Sequence, residues 1–208
     1  MDPFATIASE LKQRDRERWL ACLYAAAPAR PALVALLALD CELAHVAAST
    51  TEPLLGEIKL AWWRDRLIAL DTGPAPAQPL LQALQARVLP RLSGADLATL
   101  EDRWLCLLGA EGVPPAHVEG GAALFVLAAR LLGGDLAEAR MLGRAWMLGR
   151  WGEGQGVPGR TSVLLRPLRA LAELAARDAA HRAAGRPLEP RGNAARQWLM
   201  LKVVVFGR

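Results

Sequence analysis

The carboxylates of this sequence do not stand where two of them could share a metal ion. Magnesium prefers oxygen ligands, and two aspartates four residues apart on a helix place their oxygens on one face. Here no two aspartates are closer than six residues, the spacing of Asp65 and Asp71. Asp40 and Glu42 would point to different faces of one helix. The spacing therefore predicts no metal site and no resident cofactor.

Other residue types that often carry chemistry also lack partners in the sequence. His45 is predicted to be a core or cavity-wall histidine, and His117 and His181 are predicted to be solvated near helix ends. The glycine-rich "GEGQG" has no strand before it and no GK[ST] after it, so it does not predict a phosphate loop. No local pattern assembles a Ser/His/Asp or Cys/His site.

The cysteines and the apolar segments indicate the compartment. The three cysteines are odd in number and scattered, which predicts free thiols in a reducing environment. The N-terminus has no signal-peptide core, and no stretch of about 18 apolar residues is free of charge. We expect a cytoplasmic protein, with peripheral membrane contact as an addition. The cysteines are Cys22, Cys41 and Cys106.

The elements that position these residues are predicted to be helices. Of the 208 residues, 53% are apolar, and the residue types that favour strands are scarce. Proline and glycine divide the chain into segments that predict an all-α fold in a single domain, residues 1–208. Ser93 and Asp135 are predicted helix N-caps, the second with Glu138 in a capping box. A glycine-rich hinge is predicted at 149–160. The predicted helices are 5–26, 30–48, 53–71, 78–90, 94–109, 115–132, 135–150, 162–184 and 191–206.

The predicted helix 53–71 has two opposite apolar sides. At 100° per residue, Leu54, Ile58, Ala61 and Trp62 lie on one side. Leu60, Trp63, Leu67 and Leu70 lie on nearly the opposite side. A helix that is apolar nearly all round is buried on several sides, so a central position is predicted. Its charges then face either partners, as in a structural Glu57–Arg64 pair, or a wet pocket.

Positive charge is concentrated near the end of the chain. Residues 1–139 hold 12 Lys and Arg against 17 Asp and Glu, whereas residues 140–208 hold 13 against 4. This basic segment predicts either a solvated face or contact with an anionic membrane. Nucleic acid is not predicted, because aromatic residues do not interleave with the arginines. The arginines around the predicted hinge are Arg140, Arg144, Arg150, Arg160, Arg166 and Arg169.

Several segments resemble the squalene/phytoene synthase family. "PARPALVALLALDCELAHVA" followed by "EPLLGEIKLAWWRDRL" is similar to paired helices of its bacterial and mitochondrial branch, which includes homologues of complex I assembly factors. "RPLRALAELAARDAA" and "ARQWLMLKVVVFGR" resemble the same branch. The resemblance implies an isoprenoid synthase-type helical bundle around a central cavity. It also implies chemistry in which Mg²⁺ on two Asp-rich helices ionises prenyl diphosphates.

The positions of those metal ligands can be carried over by register. If 37–39 matches the family's Tyr-Ala-Phe, the first aspartate positions are Ala44, His45 and Ala48. The second motif falls on Met147, Arg150 and Gly154, so neither motif keeps its carboxylates. Residues that the resemblance places at the cavity or binding surface are Arg30, His45, Glu57, Trp62, Trp63 and Arg64.

Two classes of function follow from this reading. The first is a non-catalytic squalene/phytoene synthase-like protein with an assembly, chaperone or isoprenoid-lipid-binding role. The alternative is an active Mg²⁺-dependent prenyltransferase that uses atypical carboxylates, such as Glu42, Glu57 or Asp65. The expected partners are therefore an isoprenoid lipid, a protein assembly partner or an anionic membrane surface.

Overall fold

A computed structural model describes residues 3–154, 156, 157 and 159–207. Helices account for all of the regular secondary structure in this part of the chain, which confirms the predicted all-α class. The helices are α1 (Pro3–Arg14), α2 (Arg16–Tyr24), α3 (Arg30–Ser49), α4 (Pro53–Ala69), α5 (Pro79–Arg87), α6 (Gly94–Ala98), α7 (Glu101–Leu105), α8 (Pro115–Leu132), α9 (Leu136–Trp151), α10 (Arg166–Ala183) and α11 (Ala194–Phe206). A short 3₁₀ turn at Val163–Leu165 precedes α10.

Helix α3 is the centre of the bundle. Twelve of its residues are buried, from Ala32 to Val46, and it contacts α1, α2, α4, α5, α7 and α8. On the other side, α8 packs on α9, α9 on α10, and α10 on α11. Helices α3 and α8 are long and apolar enough to cross a membrane by length and composition, but more than half of each window is buried inside the fold.

Several predicted helix boundaries are set by specific caps. Asp15 divides the predicted helix 5–26, because its carboxylate accepts a hydrogen bond from the Arg18 amide at the start of α2. Ser93 is the N-cap of α6, as predicted, and it forms a capping box with Asp96. Asp135 caps α9 as predicted, but the Glu138 carboxylate accepts from the Ser162 amide instead of closing a box.

The glycine-rich segment begins inside a helix. Gly149 belongs to α9, where a Cβ atom would lie 2.6 Å from the backbone carbon of Ala175 on α10. Glycine there permits two helices to approach closely, rather than ending α9. The helix ends at Trp151, and Gly152 follows with a φ of 90°, in the left-handed region that favours glycine. The first three residues of the predicted hinge at 149–160 are therefore helical.

Helix α4 is not buried on both sides, so the predicted central position is wrong. It contacts α3, α6 and α7, and its buried residues are Gly56, Leu60, Trp63 and Leu67. The opposite side carries Leu54, Leu55, Ile58 and Trp62, which we call the open face of α4. Their exposed fractions are 66%, 51%, 58% and 45%.

The two neighbouring tryptophans of α4 have different environments. Trp63 is buried, whereas Trp62 lies at the surface with its ring edge against Trp63, the centroids being 5.2 Å apart. The Arg66 guanidinium lies 5.9 Å from the centre of the Trp62 ring. Helix neighbours cover α4 along one face only, so the second apolar face in the sequence pattern remains accessible.

Candidate functional site

A buried carboxylate lies at the meeting point of α2, α3 and α7. Asp40 is fully buried, and its Oδ2 accepts a hydrogen bond from Arg18 Nη1 at 2.8 Å. Its Oδ1 accepts from Arg103 Nη1 and from Trp104 Nε1, both at 3.0 Å. Three donors therefore hold this one carboxylate, as a buried charge requires.

The charge state of Asp40 follows from these partners. Burial alone would favour the neutral acid, but the guanidiniums of Arg103 and Arg18 hold the pKa of Asp40 below its usual range. Burial lowers the pKa of Arg103 to about 10, still well above neutral pH. Asp40 is thus an ionised, saturated acceptor, which makes it a poor general base and a poor metal ligand.

Aromatic and sulfur groups from α9 cover the two guanidiniums. Trp146 presents its ring to Arg18 and Arg103, whose guanidinium carbons lie 5.0 and 5.6 Å from the ring centre. Arg103 Nη2 also contacts the Met147 sulfur at 3.3 Å. Arg18 Nε lies 3.3 Å from the carboxylate of Asp15. We call Asp15, Arg18, Asp40, Arg103 and Trp146 the arginine network.

The positions of the first degenerate motif lie in the last two turns of α3, and two of the three are at the surface. Ala44 is half-buried, whereas His45 and Ala48 are exposed near the end of α3. The prediction that His45 lies in the core is therefore wrong, and its place in a cavity wall stays a prediction. In this part of α3, Val46 is buried in the core, and Ala44 and Ala47 pack against it. A carboxylate restored at 45 or 48 would point into solvent.

The second degenerate motif lies at the other side of the network. Met147 is buried against Arg103, and the Arg150 guanidinium lies 5.3 Å from the ring centre of Trp146. Gly154 follows α9 and packs on the backbone of Gly149, which a Cβ atom would approach to 2.3 Å. The structure does not bring the two motif segments together around a common space.

The residues predicted to line a cavity are dispersed as well. Arg30 donates to the Ala25 carbonyl at 3.3 Å, and Glu57 is exposed on α4. Arg64 pairs with Asp65 at 3.0 Å and approaches Glu101 at 3.6 Å, so the predicted Glu57–Arg64 pair is not formed. With Trp62 exposed and Trp63 packed in the core, these side chains do not enclose one site.

The donor groups do not fit a magnesium ion. Among the residues that the structure describes, no three His, Cys, Asp or Glu side chains converge in a way that could hold a metal. Glu42 is engaged by Arg14 at 2.5 Å, and Asp65 is engaged by Arg64. Arginine guanidiniums thus engage Glu42 and Asp65 and occupy carboxylate oxygens that a metal ion would need.

The predicted basic cluster is divided among several roles. Arg140 and Arg144 both approach the carboxylate of Glu119, at 3.6 and 2.9 Å. Arg166 donates to the carbonyls of Val204 and Val205 near the end of α11. Arg169 is buried and donates to two carbonyls, the Thr161 hydroxyl and Glu173. These six arginines therefore do not form one solvated face.

His117 is a buried part of the site, although the sequence predicted a solvated residue. It is 2% exposed, and its Nδ1 lies 2.6 Å from the Arg103 carbonyl oxygen, so Nδ1–H donates. The ring packs against the edges of Trp104 and Trp151, with centroids at 5.0 and 6.1 Å. Burial lowers the pKa of His117 below its ordinary value.

The lowered pKa of His117 predicts that the stability of the fold depends on pH. Its pKa is lower in the folded state than in the unfolded chain, where it is about 6.5. The neutral ring thus stabilises the fold fully above that value, and this contribution is lost as pH falls below it. Urea titrations give the free energy of unfolding at pH 7.5 and at pH 5.5. The decrease of this free energy between the two pH values is expected to be smaller for His117→Asn than for the natural protein. An equal loss in both proteins would contradict this assignment.

The sequence contained one signal for the arginine network. Asp40 interrupts the apolar run "LVALLALDCEL", and a carboxylate in a buried helix must have cationic or donor partners. The sequence did not indicate which residues these partners are, since Arg18 and Arg103 are 22 and 63 residues away from Asp40. Trp104 and Trp146 were likewise not predicted as members of a site.

Comparison with known proteins supports one family. Residues 11–91 match the family model described as squalene/phytoene synthase. The match covers less than half of the 208 residues and includes all of α3 and α4. The all-α bundle is consistent with the isoprenoid synthase-type fold of that family. No curated protein and no solved structure matches the chain.

Proposed function

We propose that this protein is a non-catalytic squalene/phytoene synthase-like protein that binds a partner without ionising a diphosphate. The observation behind the proposal is the saturation of Asp40 by Arg18, Arg103 and Trp104. An allylic diphosphate leaves readily only when divalent cations neutralise it, and those cations need free carboxylate ligands. At the positions where the resemblance implies such ligands, the chain has no carboxylate.

The competing proposal is a prenyltransferase that uses Glu42, Glu57 and Asp65. Glu42 lies on α3 in a pair with Arg14, and Asp65 lies on α4 in a pair with Arg64. Glu57 is exposed on α4. Metal binding by this set would require two ion pairs to break and the two helices to present their carboxylates to one point. The geometry therefore supports the non-catalytic proposal.

Incubation with prenyl diphosphates tests the proposal directly. Purified protein with farnesyl or geranylgeranyl diphosphate and Mg²⁺ is expected to release no pyrophosphate above a sample without protein, with products read by mass spectrometry. The triple variant Ala44→Asp, His45→Asp and Ala48→Asp is expected to remain inactive, because positions 45 and 48 are exposed. Release that depends on both protein and Mg²⁺ would overturn the proposal.

A protein assembly partner is the ligand class that we favour. The open face of α4 exposes four apolar side chains, an arrangement that often marks an interaction site. Its margins carry Lys59 and Arg66 together with Glu57 and Asp65, so the charges are balanced. An anionic membrane would favour a net positive margin, whereas a protein surface can complement both signs.

An isoprenoid lipid is the second candidate ligand, favoured by an open groove along α9. The groove has a volume of about 510 Å³, and its lining combines four apolar residues with two arginines and a glutamate. It is lined by Ala137, Arg140, Met141, Arg144, Ala145, Leu148 and Glu153. In the incubation above, retention of unreacted prenyl diphosphate with the protein after ultrafiltration would support this ligand without any turnover.

A further inference from the structure

A second pocket lies between the start of α2, the end of α9, the later part of α10, the segment 184–193 and the start of α11. Its volume is about 240 Å³, which suits a small anion better than a lipid chain. Its walls are mostly charged, and arginine is the commonest residue among them. The lining residues are Glu17, Arg150, Asp178, Arg182, Leu188, Glu189, Arg191 and Arg196.

The carboxylates of this pocket are already engaged. Arg196, which is buried, pairs through Nε with Glu17 and through Nη1 and Nη2 with Asp178. Glu189 accepts from Nε and Nη2 of Arg177 at 2.9 and 2.5 Å. Each acidic side chain of the wall thus has an arginine partner. Two of these carboxylates share the single charge of Arg196, so the three acidic side chains of the wall face four arginines, and the arginines remain in excess.

Three guanidiniums of the wall have no carboxylate partner within the described part of the chain. Arg182 Nη1 donates to the carbonyls of Gly149 and Arg150 at 3.3 and 3.1 Å, at the end of α9. The Arg150 guanidinium lies over the Trp146 ring. Desolvation and the charges of Arg18 and Arg191 lower the pKa of Arg150, and the charges of Asp15 and Asp40 offset this only in part.

We propose that this pocket binds a small phosphate-bearing anion through Arg150, Arg182 and Arg191, without a metal ion. Guanidinium groups present paired N–H donors that match phosphate oxygens, and several of them can share one phosphate group. A bound anion would offset the repulsion between neighbouring cations. The site adjoins the arginine network through Arg150 and Trp146, but none of its three arginines pairs with the carboxylate of Asp40. It binds its anion whether or not the protein has catalytic activity.

Calorimetric titration with inorganic pyrophosphate in the presence of EDTA tests this site. The natural protein is expected to bind pyrophosphate, and Arg191→Gln or Arg150→Gln is expected to weaken binding by about tenfold each. Arg87→Gln, an exposed substitution at the end of α5 and outside the pocket lining, is the matched control and should bind like the natural protein. Circular dichroism establishes that each variant is folded.

A phosphate group can come from a soluble molecule or from a lipid headgroup, and vesicles distinguish the two. Co-sedimentation with phosphatidic acid vesicles that Arg191→Gln abolishes would identify a headgroup. Pyrophosphate binding without vesicle binding would identify a soluble phosphate, and either result supports the site. No pyrophosphate binding, or equal affinity in the Arg150→Gln/Arg191→Gln double variant, would overturn it. Neither failure bears on the proposed absence of diphosphate ionisation.

Discussion

Replacing Asp40 by asparagine is expected to lower the free energy of unfolding by about 3–5 kcal/mol. The substitution keeps the shape of the side chain but removes the charge that neutralises Arg18 and Arg103. Both guanidiniums are almost fully buried, so water cannot replace the lost carboxylate. Urea unfolding followed by circular dichroism measures the loss.

The matched control for Asp40 lies two residues further along the same helix. Glu42 pairs with Arg14, but both side chains are partly exposed, at 24% and 41%. Glu42→Gln is therefore expected to change the free energy of unfolding by less than about 1 kcal/mol. Comparable small changes for Asp40→Asn and Glu42→Gln would show that the arginine network is not the charged core described above.

The second large effect is expected on α4, where two aliphatic residues only two positions apart have opposite environments. Leu60 is fully buried against neighbouring helices, so Leu60→Ala is expected to cost about 2–5 kcal/mol. Ile58 is 58% exposed on the open face, so Ile58→Ala is expected to stay within about 0.5 kcal/mol. The same urea titrations compare both variants with the natural protein.

This pair of substitutions also tests how α4 is placed. A central α4, as its two-sided apolar pattern predicted, would make Ile58→Ala nearly as destabilising as Leu60→Ala. A large loss for Ile58→Ala would thus restore the central position and remove the open face as a binding surface. A small loss would leave Ile58 and Trp62 free for substitution without unfolding the protein, as a study of partner binding requires.

Much of the architecture was determined by the sequence alone, because it depends on local chemistry. Scarce strand-forming residues and regular proline and glycine breaks were enough to predict an all-α fold. Ser93 and Asp135 could be predicted as N-caps, because a cap needs only a side-chain oxygen and amides two or three residues away. The lack of carboxylates at the implied motif positions was likewise readable from residue types.

The tertiary structure alone decided which charges meet and which apolar faces are covered. Helical periodicity shows that α4 has two apolar sides, but not that its neighbours cover only one. Asp40 reveals a need for partners, yet Arg103 reaches it across 63 residues of chain and brings His117 into the same buried region. Burial and ion pairing between distant segments depend on how the helices pack, and the spacing of residues along one helix carries no record of that packing.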